Sequence, residues 1–172
     1  YERDFYLFER GDAGLTITRT IGHYVDQLTN IERVAFSDGV LAFDDHAAQS
    51  YRLYQAAFDR VPDRDGLSYW VDKLDDGAGL YELADHFVSS PEFVDTYGSV
   101  SNAELVEIFY DNILDRGSEP DGFDYWLERL ESGASRAEVL ANFSESYENI
   151  AQVADAIYLG IWLNPEVTVF GA

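Results

Sequence analysis

Carboxylates are the side chains best placed to do chemistry in this chain. Asp59, Asp63 and Asp65 are matched further on by Asp115, Glu119 and Asp121, so acid stands at all three positions of two similar loops. Calcium takes about six to eight oxygen ligands, many from carboxylates and backbone carbonyls. A loop with three acids and a following glycine, Gly66 or Gly122, offers such donors. These six acids are the candidate calcium ligands. Their spacing is not that of an EF-hand, which needs acids at alternate positions and a bidentate glutamate further on. Asp65 and Asp121 also stand where helix caps belong, so capping is the competing reading. Asp26, Asp38, Asp44 and Asp45 form a second acidic group, in which turn chemistry accounts for Asp38.

Catalytic patterns are missing. His23, His46 and His86 are scattered, with no H-E-x-x-H spacing. No nucleophile elbow, phosphate loop or dinucleotide fingerprint occurs. Adjacent acids such as Asp75 and Asp76 carry no weight as a glycosidase pair in a chain with 33 acids. We expect no enzyme and no catalytic residue. The absence of cysteine removes disulfides, thiolate catalysis and zinc–thiolate sites. No cofactor is expected to be required, and calcium is the one candidate ion.

Charge narrows the partners. Against 33 acids stand 11 basic side chains, a formal net charge of −22. Phosphate backbones and anionic lipid heads are repelled by such a surface, so nucleic acid and membrane insertion are not expected. Divalent cations, cationic surfaces or a saline medium are the natural counterparts. The plain alternative is a solvated acidic surface that keeps a secreted protein dispersed. The chain opens on Tyr1 and lacks methionine, which reads as a fragment or processed product, with any targeting signal outside it.

The elements that position these residues follow from an internal repeat. Residues 54–93 recur at 110–149 without a gap, an offset of 56. Tyr54, Arg60, Gly66, Tyr69, Trp70, Leu74, Gly77, Phe87 and Glu92 return as Tyr110, Arg116, Gly122, Tyr125, Trp126, Leu130, Gly133, Phe143 and Glu148. Such a period marks a supersecondary unit that buries its apolar face against its neighbour. Tyr51, Tyr54, Ala57 and Phe58 define one face of a first helix. A second opens at Asp65-Gly66 with Tyr69, Trp70 and Leu74 inward, and a third covers about 80–88. Ser90-Pro91-Glu92 is a further helix start. The second copy predicts helices over 103–115, 121–131 and 135–143, then a longer closing helix from Glu145 to Leu163. Arg60 and Arg116 are expected to pair with cap carboxylates and loop carbonyls. Trp70 and Trp126 read as core, with sugar stacking as the alternative.

The first 45 residues read differently. Leu15 to Thr20 alternates like a strand, and Val34–Phe36 and Val40–Phe43 flank Ser37-Asp38-Gly39 as a hairpin. The expected fold is mainly α: two tandem three-helix repeats and a closing helix, with a small N-terminal β-rich cap. The expected organisation is a cap over 1–45 packed on the helices, a helical repeat domain over 46–163, and a tail over 164–172. In that tail Val167–Phe170 is a candidate strand for the N-terminal sheet.

The stretch from Tyr54 to Trp70, with Phe109–Arg116, Asp121-Gly122, Tyr125-Trp126, Phe143–Ser146 and Gly160–Trp162, resembles the bacterial domain of unknown function numbered 4214. That family is similar in fold to the all-helical phycobilisome linker domain. Leu28 to Asp44 resembles the segment that joins this domain to calcium-binding RTX repeats in large secreted proteins. No glycine-rich RTX nonapeptide occurs in this chain, so no repeat calcium site carries over. The resemblance implies an extracellular, secreted or cell-surface setting. It implies a non-catalytic accessory or interaction domain of an RTX-type protein. Its partners would be other domains of the parent protein or an extracellular protein or glycan. The alternative is a calcium-dependent or carbohydrate-binding module of an adhesin or secreted enzyme, with Trp162 as an exposed stacking residue beside a polar pocket.

Overall fold

A computed structural model describes residues 2–11, 14–22 and 24–167. The fold is mainly α, with eight helices among the described residues and two small sheets. After a short 3-10 turn, β1 (Tyr6–Gly11), β2 (Gly14–Arg19) and β3 (Val25–Leu28) form an antiparallel meander. Leu15 and Ile17 point inward from β2 and are buried. β4 (Arg33–Phe36) and β5 (Gly39–Ala42) form the hairpin that the Ser37-Asp38-Gly39 step predicts. β1 and β3 are not legible in sequence, because little alternation marks them.

The helices are α1 (Asp45–Phe58), α2 (Arg64–Asp75), α3 (Leu80–Val88), α4 (Pro91–Tyr97), α5 (Asn102–Leu114), α6 (Pro120–Glu131), α7 (Arg136–Ser144) and α8 (Tyr147–Ile157). Their ends follow local chemistry. Asp44, Asp63, Ser90, Ser101, Ser135 and Ser146 each accept a backbone N–H at a helix start. Ser101 and Glu104 form a full capping box. Asp59 and Asp115 end α1 and α5 in the left-handed region, a conformation that aspartate tolerates. The N-cap positions of α2 and α6 are Asp63 and Glu119, not Asp65 and Asp121, and of the two only Asp63 caps through its side chain.

The long closing helix does not form. α8 ends at Ile157, and Gly160, with φ +91°, turns the chain out of the helix. Ile161–Leu163 becomes β6, which pairs antiparallel with β5 and places Trp162 in a strand. β5 thus lies between β4 and β6, and all four of its residues are buried. The proposed Val167–Phe170 strand lies mostly outside the described residues; Val167 itself is buried beneath the second sheet.

A main core gathers Leu53, Leu83, Phe87, Leu105, Phe109, Leu140 and Phe143 from α1, α3, α5 and α7. A second cluster joins Val40, Ala42, Ile161 and Leu163 of the sheet to Ala47, Leu67 and Val71 of α1 and α2. Burying each large side chain contributes about 1.5–3 kcal/mol, so the second cluster holds the β5–β6 pair on α1 and α2. Trp70 packs edge-on against Phe87, and Trp126 leans on Phe143. Tyr69 and Tyr125, expected to point inward, are 53% and 52% exposed. Each lies on the outer side of its tryptophan, one position off the buried face.

Candidate functional site

The two acidic loops are built from their own helices. In the first, Arg60 donates through Nε to Glu92 Oε1 at 3.1 Å and through Nη2 to the Tyr54 hydroxyl at 2.8 Å. The Tyr54 hydroxyl in turn donates to Asp63 Oδ2 at 2.7 Å, while Asp63 Oδ1 accepts the Gly66 N–H. That N–H, the tyrosine and nearby Arg60 hold the Asp63 carboxyl below its ordinary value, against a small opposing effect of burial. In the second loop Arg116 grips Glu148 through Nε at 2.6 Å and Nη2 at 2.9 Å, and also donates to Glu119. Glu119 is one methylene longer than Asp63. It reaches the guanidinium and makes no side-chain cap. Arg116 therefore draws both Glu148 and Glu119 below the usual carboxylate range.

These contacts engage carboxylate oxygens of Asp63 and Glu119 that a cation would otherwise use. The structure does not gather the six candidate ligands into a cation-sized group. Asp59 and Asp115 are C-caps, Asp63 caps α2, Glu119 pairs with Arg116, and Asp65 accepts the Asn164 amide at 2.9 Å. Asp121 lies in the first turn of α6. The expected arginine pairing with the cap acid is present in the second loop and longer, 3.8 Å, in the first. Sequence reasoning missed Glu92 and Glu148 as the main partners. The signal was available: arginine and glutamate keep a separation of 32 residues in both copies.

Among the described residues one group does bring metal-type ligand atoms within 4.8 Å: Asp44, His46 and Asp75. A guanidinium already fills the position between the two carboxylates. Arg33, its side chain 1% exposed, donates to both oxygens of Asp44 (2.7 and 3.1 Å) and of Asp75 (2.6 and 3.0 Å). His46 Nδ1 lies 2.8 Å from Asp75, and Asp44 also accepts the Ala47 N–H. One side chain on β4 thus ties the start of α1 to the end of α2. Burial alone would weaken its charge. The hydrogen bonds and charges of the two aspartates outweigh that and raise Arg33 above its ordinary value. Burial likewise opposes the ionised Asp44, but Arg33 and the Ala47 N–H win, and its pKa falls below 3.8.

A depressed carboxyl contributes stability above its unfolded value and loses it as pH falls through its folded value. Wild type should therefore exceed Asp44→Asn in stability at neutral pH, and the gap should narrow as pH falls below the ordinary carboxylate range. Urea titrations at a series of pH values measure it. A gap that stays constant to pH 2 would show that the Asp44 charge does not supply the difference.

The other cations are spent in the same way. Arg52 forks onto Glu145 at 2.8 and 2.6 Å, Arg129 pairs with Glu138, and Arg136 donates to the Tyr97 and Val100 carbonyls. Arg64 donates to the Asp38 and Leu163 carbonyls and stacks 4.9 Å from the Trp162 ring. A Cβ at Gly39 would lie 2.5 Å from the Leu163 carbonyl oxygen and 2.6 Å from the Trp162 ring, so only glycine fits there. Arg3 covers Trp162 as well, at 5.5 Å, and Phe36 packs beside it. Trp162 is thus the joint between β segment and helices. Arg10 lies over Phe43 and Tyr158, and Lys73 over Tyr69. With Arg19, all eleven cationic side chains engage partners inside the chain.

A cavity of about 350 Å³ lies between β5, α1 and α8, with Phe43, Ala48, Ile150 and Ile157 on its walls. Arg10 and Arg52 border it, each already held by Tyr158 or Glu145. No described helix is long and apolar enough to cross a membrane.

The model of one family, Domain of unknown function (DUF4214), matches residues 45–85 and 84–153. This is more than half of the sequence, and the chain belongs to that family. No curated protein and no solved structure matches the chain.

Proposed function

From its place in the DUF4214 family, we propose that this chain is a non-catalytic interaction module of a larger secreted bacterial protein of the RTX type. It links or presents other parts of that protein and needs no cofactor. One observation supports the reading: the arginines are paired within the chain, Arg33 and Arg52 in buried forks and Arg60 and Arg116 with surface glutamates, and acids outnumber cations by 33 to 11. A surface of this sign disfavours polyanions and anionic lipid, and favours cationic partners or a calcium-rich medium. The clamps lock caps and helix ends rather than hold reactive groups open to solvent. The two sequence copies underlie a tandem repeat of helical units. The starts of α2, α3 and α4 return 56 positions later as those of α6, α7 and α8.

Urea unfolding of the chain in EDTA tests the reading. Tryptophan fluorescence and far-UV circular dichroism should trace one coincident, reversible transition. A chain that unfolds in EDTA and refolds only with added metal would overturn it.

A further inference from the structure

The two halves of the chain differ in what covers them. On α1 and α2, Ala47, Leu67 and Val71 are almost fully buried beneath the β5–β6 pair, which lays Val40, Ala42, Ile161 and Leu163 over them. The residues 56 positions later are Ala103, Phe123 and Leu127 on α5 and α6, and all three are only half-buried. No strand lies there among the described residues. α6 accordingly buries only Leu130, where α2 buries Leu67, Ser68, Val71 and Leu74. In place of a cover there is an open groove of about 450 Å³, lined by Val100, Ala103, Glu104, Glu107, Ile108 and Phe123.

We propose that this groove is a docking site for a short extended apolar segment of another polypeptide that carries lysine or arginine. The first half shows which shape such a surface accepts: an extended strand with alternate aliphatic side chains facing the helices. The charge comes from the rim. Glu104 and Glu107 stand where the first half has Ala48 and Tyr51. Their hydrogen-bond partners are Ser101 and Ser118, not cations, and Arg136, the cation beside the groove, is spent on the Tyr97 and Val100 carbonyls. A second copy of the chain would bring its own net charge of −22 against that rim, which disfavours self-association there.

The proposal rests on the interaction-module reading and adds its surface and its partner's chemistry. The probe is a synthetic peptide alternating valine and lysine, titrated into the isotopically labelled chain by NMR, with a serine–lysine peptide as control. Shifts should cluster on Val100, Ala103, Ile108 and Phe123. The serine–lysine peptide should bind at least tenfold more weakly. Ala103→Gln fills the groove from a half-exposed helix position without removing core, and should weaken binding at least tenfold. Glu104→Gln with Glu107→Lys keeps the cap at Ser101 and should do the same. Shifts scattered over the acidic surface, or equal binding by Ala103→Gln, would overturn the proposal. So would sedimentation showing that the chain alone dimerises through this face. Each of these would leave the metal-free module reading standing, because that reading is decided by cooperative unfolding in EDTA.

Discussion

Arg33→Leu is expected to cost about 3–5 kcal/mol in urea unfolding, the usual penalty for breaking a buried ion pair from one side. The substitution leaves Asp44 and Asp75, 13% and 6% exposed, without the guanidinium that both share. A domain of this size has a total stability of about 5–15 kcal/mol, so the loss is a large part of it. Arg33→Lys should fail almost as badly, since an ammonium cannot make two parallel forks. Neutralising the whole cluster separates charge from packing. Arg33→Leu with Asp44→Asn and Asp75→Asn should regain at least half of the loss, because no uncompensated carboxylate remains. A single Arg33→Leu variant within about 1 kcal/mol of wild type would show that the β segment does not depend on this clamp.

Phe143→Ala is the second large effect, at about 3–5 kcal/mol. The ring is 2% exposed and meets Phe109, Tyr110 and Trp126 within 5.6 Å between centroids. Removing it leaves a cavity and forfeits its ring contacts with all three neighbours. Phe87→Ala should cost a similar amount, because Phe87 meets Tyr54, Phe58 and Trp70 in the same manner. α3 and α7 pack on each other, so the two losses should not simply add. Urea midpoints for both single variants and the double variant decide it. A cost below about 1 kcal/mol for either would mean that its aromatic cluster is not core.

How far these sites were legible in sequence follows from the range of the forces involved. Helix periodicity, Ser and Asp caps, Pro91 and the Asp38-Gly39 turn are local, and the elements they signal are present. Phe87 and Phe143 could be read as core because they sit on apolar helical faces and recur. β6 could not, since Ile161-Trp162-Leu163 looks like the continuation of a helix until Gly160 breaks it and β5 supplies a partner. The candidate site is legible only in part for a similar reason. The three acids of each loop are local, but their partners are not. Arg60 and Arg116 are near in sequence, but Glu92 and Glu148 arrive from helices 32 residues away and complete the clamps. The Arg33 cluster joins β4, α1 and α2 across 42 residues, a separation that leaves no periodic trace.

We propose that the acids of this chain serve internal clamps and a solvated surface, and that no ion is required. Thermal melting in EDTA, in millimolar calcium and in millimolar magnesium, at matched ionic strength, tests it most directly. Equal midpoints are expected in calcium and magnesium, both raised modestly over EDTA at low salt because either ion screens the acidic surface. A rise specific to calcium, growing with its concentration as native-state binding requires, would contradict it and return the acidic loops as a metal site.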